Sequence, residues 1–324
     1  MSDAPPVAVV IPSWNTIDFL PTCLESLAGQ GVALEIVVID NGSSDGSLGY
    51  LEREGVPHLS LPRNVGFAAA VNLGVARTEA AAVLALNADT VLEPGCVGAL
   101  LDALESDPGL GGAQPRILQL AGGPGSPRSL DSARLYSAGQ ALTRDGRAVE
   151  LGAGEEQAPR YLARREVFGV CGAACLLRRE LFDRLGGYDE SYFAFYEDVD
   201  LNVRAQIAGR RFEYVPEAVA WHVGNASWLE GFQRPAADNA RLVARNRLAT
   251  QVKFVPVASV PRILAVEAGS LLRAARERRF FATSKGKLST LWRLPGLLRE
   301  RSALRRGGDP SRARRWLGVG AGGS

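Results

Sequence analysis

The chain of 324 residues predicts a doubly wound α/β fold on three observations. Short continuous apolar runs rich in β-branched residues recur through the first third, the pattern of strands buried on both faces. Segments with helical apolar spacing alternate with them, which calls for parallel strands joined by crossovers. Acidic or polar clusters follow the runs directly, at the sheet edge where ligands of such folds bind.

The first run, Val7 to Ile11, is closed by Pro12, which lacks the N–H a central strand needs. Asp18 to Gly29 places Phe19, Leu20, Cys23, Leu24 and Leu27 at helical spacing and stops on glycine, as helices do. Leu34 to Ile39 is the next buried strand, Asp40 to Asp45 a loop, Ser47 to Glu54 a helix and His58 to Leu61 a third strand. A helix over Asn72 to Thr78 precedes the strand Val83 to Leu86. Between Leu120 and Glu166 the periodicity fades into Gly/Pro-rich and polar sequence with short possible strands over Gln140 to Glu150. The expectation there is a flexible loop or hairpin. Regular structure is expected again over Val167 to Val170 and in a helix over Arg179 to Leu185.

With 46% hydrophobic and 22% charged residues, the chain has the composition of a soluble globular protein. It contains no apolar stretch of roughly 18 residues, and Met1-Ser2-Asp3 runs toward a strand, so a cytoplasmic protein without signal peptide is expected. Cys23, Cys96, Cys171 and Cys175 lack zinc-site spacing and read as reduced packing residues. The net charge of +2 hides an asymmetry: from Arg241 onward 19 Lys/Arg face 4 Asp/Glu. Basic residues beside Phe280, Phe281, Leu291, Trp292 and Leu298 suit an anionic membrane surface. Nucleic-acid recognition motifs are missing, so no nucleic-acid partner is expected. Gly318 to Gly323 fits a dinucleotide spacing but has no helix after it and is discounted.

The chemistry concentrates at run ends. Asn87-Ala88-Asp89 follows the apolar run 81–86; an acid there suits a metal or phosphate, although an Asx turn uses the same residues. Ser13-Trp14-Asn15, Asp40 to Asp45 and Glu197-Asp198-Val199-Asp200 would converge on the same crevice. The last cluster would also complement a helix N-terminus.

These residues carry a family resemblance. Val10-Ile11-Pro12-Ser13-Trp14-Asn15, Val37 to Asp45, Arg63-Asn64-Val65-Gly66-Phe67, Leu86-Asn87-Ala88-Asp89, Cys171-Gly172-Ala173, Gly186 to Glu190 and Tyr196 to Leu201 resemble, in that order, family 2 glycosyltransferases of the GT-A fold. Within that family the chain looks like bacterial rhamnosyltransferases of surface polysaccharides. The resemblance spans about residues 7 to 225. It implies a GT-A domain over residues 1–240, with a nucleotide-binding half near 1–118 and an acceptor half near 119–240. A basic amphipathic helical extension with a disordered C-terminus would fill 241–324.

The resemblance also implies roles. Asp40 would accept the imide N–H of uracil or thymine, with Pro12, Ser13, Asn15 and Asn41 framing the nucleoside. Asn64, Gly66 and Phe67 would pass over ribose and diphosphate, Gly66 permitting close backbone approach. Asp89, with His222, would hold Mg²⁺ or Mn²⁺ against the diphosphate. Asn87 stands where the family usually has an acid, and Ala88 lies between the two. Gly172 and Ala173 would pack on the donor and leave backbone N–H groups for phosphate or acceptor.

Asp198 would be the general base of a single inverting displacement; Glu197 would orient the acceptor or a neighbouring backbone group and is the competing choice of base, and Asp200 would hold the loop through Arg204 or a helix-start hydrogen bond. The donor would be a dTDP- or UDP-sugar, foremost dTDP-rhamnose. A polyprenyl-diphosphate-linked saccharide is the expected acceptor, met peripherally on the inner face of the cell membrane. A nucleotidyltransferase would need a lysine- and glycine-rich phosphate loop where Ser13-Trp14-Asn15 stands. A noncatalytic sugar-nucleotide or glycan-binding protein is the other alternative, against which the intact Asp89 and Asp198 argue.

Overall fold

The computed structural model describes residues 7–123, 125–223 and 236–319. Strand β1 (Val7–Ser13), helix α1 (Leu20–Glu25), β2 (Leu34–Asp40), α2 (Ser47–Arg53), β3 (His58–Ser60), α3 (Phe67–Val75) and β4 (Ala82–Leu86) form the first half. Then come β5 (Thr90–Leu92), α4 (Cys96–Ser106), β6 (Leu110–Gln119), β7 (Leu135–Ser137), β8 (Gln140–Leu142), β9 (Ala148–Glu150) and β10 (Arg165–Val167). Strand β11 (Ala174–Arg178), α5 (Arg179–Arg184), α6 (Glu197–Ile207) and β12 (Arg211–His222) complete the sheet. Helices α7 (Ala236–Phe254), α8 (Val260–Arg276), α9 (Phe280–Trp292), α10 (Leu294–Gly307) and α11 (Pro310–Arg314) follow.

The main sheet runs β10-β12-β6-β11-β4-β1-β2-β3, with β5 added on β12 and β7 on β6. Strands β4, β1, β2 and β3 are parallel, whereas β11 runs antiparallel to both β4 and β6. Chain order reverses at β1, so a crevice opens beyond the carboxyl ends of β1 and β4. Side chains of β1 alternate between faces. Val7, Val9 and Ile11 pack with α1 and α4 (Leu20, Cys23, Val97, Leu100), while Val10 packs with α3 and α6 (Val71, Val75, Leu201, Ala205).

Two expectations are corrected and one is resolved. Helix α3 starts at Phe67, five residues before the expected Asn72, because the turn at Gly66 feeds straight into Phe67-Ala68-Ala69-Ala70-Val71, an alanine-rich run that favours helix and buries one face. Within the region 120–166, expected to be a flexible loop or hairpin with short strands over Gln140 to Glu150, the hairpin β8–β9 pairs Gln140 with Glu150, and Gln140 bridges to Gly169. Regular strand stops at Val167, since a Cβ at Gly169 would lie 2.3 Å from Asn202, so its backbone packs directly on α6. All four cysteines are free and buried.

The basic extension shares a core with α6: Val199, Val203 and Ile207 pack with Phe254, Val255, Ile263 and Ala313. Asp200 pairs with Arg204 at 2.7 Å, one helical turn on. No helix among the described residues is long and apolar enough to cross a membrane. The last five positions of the C-terminus expected to be disordered, and with them most of the segment Gly318 to Gly323, lie outside the described residues, as does the Met1 start.

Candidate active site

A cavity of about 430 Å³ lies at the crevice, and every site residue expected from the sequence except Asp40 and Gly66 lines it. Asp40 ends β2 beneath the wall and is 1% exposed. Its Oδ2 accepts long hydrogen bonds from Ser43 N–H (3.4 Å) and Ser60 O–H (3.5 Å). Its Oδ1 is buried without a partner, an acceptor left for a ligand N–H.

The neighbouring asparagines shape loops. Asn15, at φ 54°, accepts Ser44 N–H on Oδ1 at 2.7 Å, and its own N–H donates to Ser43 Oγ at 3.0 Å. Asn41 accepts Val65 N–H (2.8 Å) and donates to Asn64 Oδ1 (3.1 Å) and Gly66 O (3.2 Å). Gly66 is required at φ 96°, but a Cβ there would meet Phe193 O at 2.5 Å. The close approach that excludes a side chain here is to the Phe193 loop.

Strand pairing builds the metal candidate. In the β5–β12 ladder Thr90 faces His222, so Asp89, one residue earlier, reaches the imidazole: Oδ1 is 3.0 Å from His222 Nε2. The Asn87 carboxamide is 3.4 Å from the same nitrogen, and its Oδ1 is buried without a partner. Tyr136 stacks edge-on to the His222 ring at 4.5 Å and fixes its plane. A carboxylate oxygen, an imidazole nitrogen and an unsatisfied carboxamide facing one space fit a divalent cation. Among the described residues no three His, Cys, Asp or Glu gather into one such group, so a cation here would need further oxygen ligands from outside the protein.

On the opposite wall, the N-terminus of α6 presents two carboxyls. Asp198 Oδ2 accepts Gly172 N–H (2.9 Å) and Gln140 Nε2–H (2.8 Å), and Oδ1 accepts Val199 N–H (2.8 Å). Burial raises its pKa, and these three bonds offset part of that rise. Glu197 is buried with Oε2 unpartnered; burial first, then the Asp198 charge, hold its carboxyl well above the ordinary range. Burial thus raises both carboxyls, Glu197 to about 8, and the three hydrogen bonds to Asp198 favour its charged form over that of Glu197. Gly172 N–H is committed to Asp198, contrary to the expectation that it stays free for phosphate or acceptor.

Two residues here were not expected. Gln140 Nε2 donates to Asp198 Oδ2 and also to Glu150 Oε1 at 3.0 Å, while Ser137 O–H donates to Glu150 Oε2 at 2.5 Å. Asn202 Nδ2 holds the Gln140 oxygen at 2.9 Å. Burial, and behind it the Asp198 charge, push the Glu150 carboxyl up to about 7. The flap thus brings a third carboxyl to the cavity.

The sequence profile described as Glycosyl transferase family 2 matches residues 8–186, more than half of the chain. The chain belongs to glycosyl transferase family 2. This glycosyltransferase is 31% identical over 250 residues to an N-acetylglucosaminyl-diphospho-decaprenol L-rhamnosyltransferase of Mycobacterium tuberculosis, covering 68% of this chain and 76% of that protein. It is also 32% identical over 222 residues to a pre-mycofactocin glycosyltransferase of the same species, covering 67% of this chain and 42% of that one. Among solved structures, GalNAc-T7 with UDP, GalNAc and Mn²⁺ superposes with a TM-score of 0.60 at 17% identity, over 78% of this chain and about half (49%) of that one. That likeness establishes the GT-A fold.

In this glycosyltransferase the C-terminal extension shapes the wall that carries Glu197 and Asp198. The loop before Glu197 holds Phe193, Phe195 and Tyr196 at φ 66°, 68° and 72°, a region non-glycine residues avoid at a cost of about 1–3 kcal/mol each. Fully buried Asn246 of α7 aims Nδ2 at the carbonyls of Tyr192, Ala194 and Phe195 at 2.9, 2.8 and 2.7 Å. Arg245 donates to Ser191 O and Tyr192 O. Asn246→Ala should release the strained loop, costing about 1–3 kcal/mol of stability and speeding amide exchange in residues 191–196 by tenfold or more. Unchanged exchange in that loop would refute the clamp.

Proposed function

We propose that this glycosyltransferase moves rhamnose from dTDP-rhamnose, with inversion and with a divalent cation, onto a lipid-linked saccharide. The observation that carries the reading is one cavity lined both by Asn87, Asp89 and His222 and by the carboxyls of Glu197 and Asp198 at the N-terminus of α6. The activity named for the mycobacterial rhamnosyltransferase supports the donor sugar and acceptor class. The unpartnered Asp40 Oδ1 suits the imide N–H of thymine or uracil and rejects cytosine, whose N3 offers no hydrogen.

Asp198 takes the proton of an acceptor hydroxyl as that oxygen attacks the anomeric carbon from the side opposite the diphosphate. The new glycosidic bond forms as the anomeric carbon–oxygen bond to dTDP breaks, so one displacement inverts the centre. Glu197, kept protonated, donates a hydrogen bond to the acceptor or neighbouring backbone. Asp89 and His222, with Asn87 beside them, would hold a divalent cation, which would supply positive charge for the departing diphosphate. The test is a screen of dTDP- and UDP-sugars that detects released nucleotide, with Mn²⁺, Mg²⁺ or chelator. Turnover is expected with dTDP-rhamnose and a metal, and Asp89→Ala should lower kcat/KM about a hundredfold or more. Full activity in chelator would remove the metal from the reading. Turnover with a UDP-sugar alone would reassign the donor, and nucleotide-sugar binding without turnover would favour a noncatalytic protein.

A further inference from the structure

The extension carries an outward surface that the donor cavity does not use. Along α9, Phe281, Lys285, Leu288 and Trp292 follow one another at spacings of four, three and four residues, which places them on one stripe. Phe281 is 86% and Trp292 88% exposed, with Leu288 also exposed. The opposite stripe, Thr283, Gly286 and Thr290, is buried. It seats α9 on α7: a Cβ at Gly286 would lie 2.3 Å from Arg241 O, and Thr290 O–H donates to Arg245 O. Helix α8 adds exposed Leu264 and Leu272 while its Ile263, Glu267 and Ala274 face inward. Trp and Phe in such numbers on one face are not the scattered apolar residues of an ordinary surface.

Charge decides what this face meets. The acids of the extension are each paired within it, although Glu277 and Asp309 are exposed. Glu267 is buried between Arg247 and Lys287, both at 2.8 Å. Glu300 pairs with Lys253 at 2.9 Å, Glu277 with Arg279 at 3.7 Å, and Asp309 caps α11 through Ser311. Left on the outside are exposed Arg262, Arg273, Arg276, Lys285 and Arg299. A second copy would bring the same cations against these, whereas an anionic bilayer complements both the charge and the aromatic stripe.

We infer that α8, α9 and the start of α10 form a membrane-docking surface, with Phe281, Leu288 and Trp292 entering the headgroup–acyl boundary and the flanking arginines and Lys285 contacting anionic headgroups. Because α9 is bolted to α7, whose Asn239 and Val243 line the cavity, docking holds the catalytic wall at a fixed relation to the bilayer. The surface gives the proposed lipid-linked acceptor a physical location, but vesicle binding is measured without any acceptor or donor, so its failure and the failure of that reading are separable.

The full chain is floated with vesicles of phosphatidylglycerol and phosphatidylcholine in equal parts, and with phosphatidylcholine alone. Flotation is expected with the anionic vesicles only, and it should fall steeply with added salt. The double variant Phe281→Ser/Trp292→Ser should lose about tenfold or more in partition while keeping its melting temperature and nucleotide affinity. As a check that needs no large change of surface, lipids brominated on the acyl chain should quench the fluorescence of the parent more than that of Trp292→Phe. No flotation of the parent, equal flotation of parent and double variant, or equal quenching of parent and Trp292→Phe would overturn the inference. So would a concentration-dependent dimer that the double variant abolishes without any vesicle binding.

Discussion

Asp198→Asn should lower kcat about a thousandfold, within the range by which positioned bases accelerate proton transfer, while donor affinity changes by less than about twofold. The substitution keeps the side chain's shape and one acceptor oxygen for Gly172 N–H, so the wall should survive while the proton acceptor is lost. The pH profile gives an independent readout. Burial raises the Asp198 pKa above the ordinary carboxylate value, and a base works only when deprotonated. The parent's rate should therefore climb with pH through a limb displaced upward from the free-aspartate value of about 3.9. The residual rate of Asp198→Asn should lack that limb. Rapid-quench measurement of released nucleotide, with and without acceptor, separates transfer from hydrolysis. Transfer at the parental rate would remove Asp198 as base and turn attention to Glu197, whose held proton argues against it.

The front of the molecule was legible because its strands are buried on both faces. Val7 to Ile11 and Leu34 to Ile39 need no alternation to be recognised, and the acids that follow them sit where the parallel ladder ends. The site's pairings were a different matter. Asp89 and His222 are 133 positions apart, and only the antiparallel β5–β12 register joins them; family resemblance anticipated the pair, but spacing could not. Short strands were legible over Gln140 to Glu150, but three-residue strands are too short to show a period, so nothing local marked either side chain as part of the site. The aromatic and basic mixture over 273–299 was visible, yet the folding of the extension onto α6 was not. Nothing in a run of cations tells that Lys253 is one of those that end up buried.

Lys253→Met should be the most destabilising of the charge deletions, costing about 3–5 kcal/mol, the usual loss when one partner of a buried ion pair is removed. Lys253 Nζ lies 2.5 Å from Asp200 Oδ1, 2.9 Å from Glu300 and 3.2 Å from Asp189. Both Lys253 and Asp200 are buried. Burial by itself would raise the Asp200 pKa, but the charges of Lys253 and then Arg204 overcome it and hold that carboxyl down to about 2. A folded value below the unfolded one of about 3.9 means that the contribution is present above the unfolded pKa and is lost as pH falls through the folded one. Lys253→Met removes the larger stabilising charge, so the folded pKa rises and acid unfolding should begin at higher pH than in the parent. At neutral pH the melting temperature should drop by roughly 10 °C, from about 2–4 °C per kcal/mol for a chain of this size. The variant Asp200→Asn/Lys253→Met should regain part of the loss, because it no longer buries an undercompensated carboxylate. Asp200 lies less than one turn beyond Asp198 in α6, so loosening this anchor should also depress transfer more than nucleotide binding. A melting temperature and acid midpoint equal to the parent's would show that the extension is not anchored through this lysine.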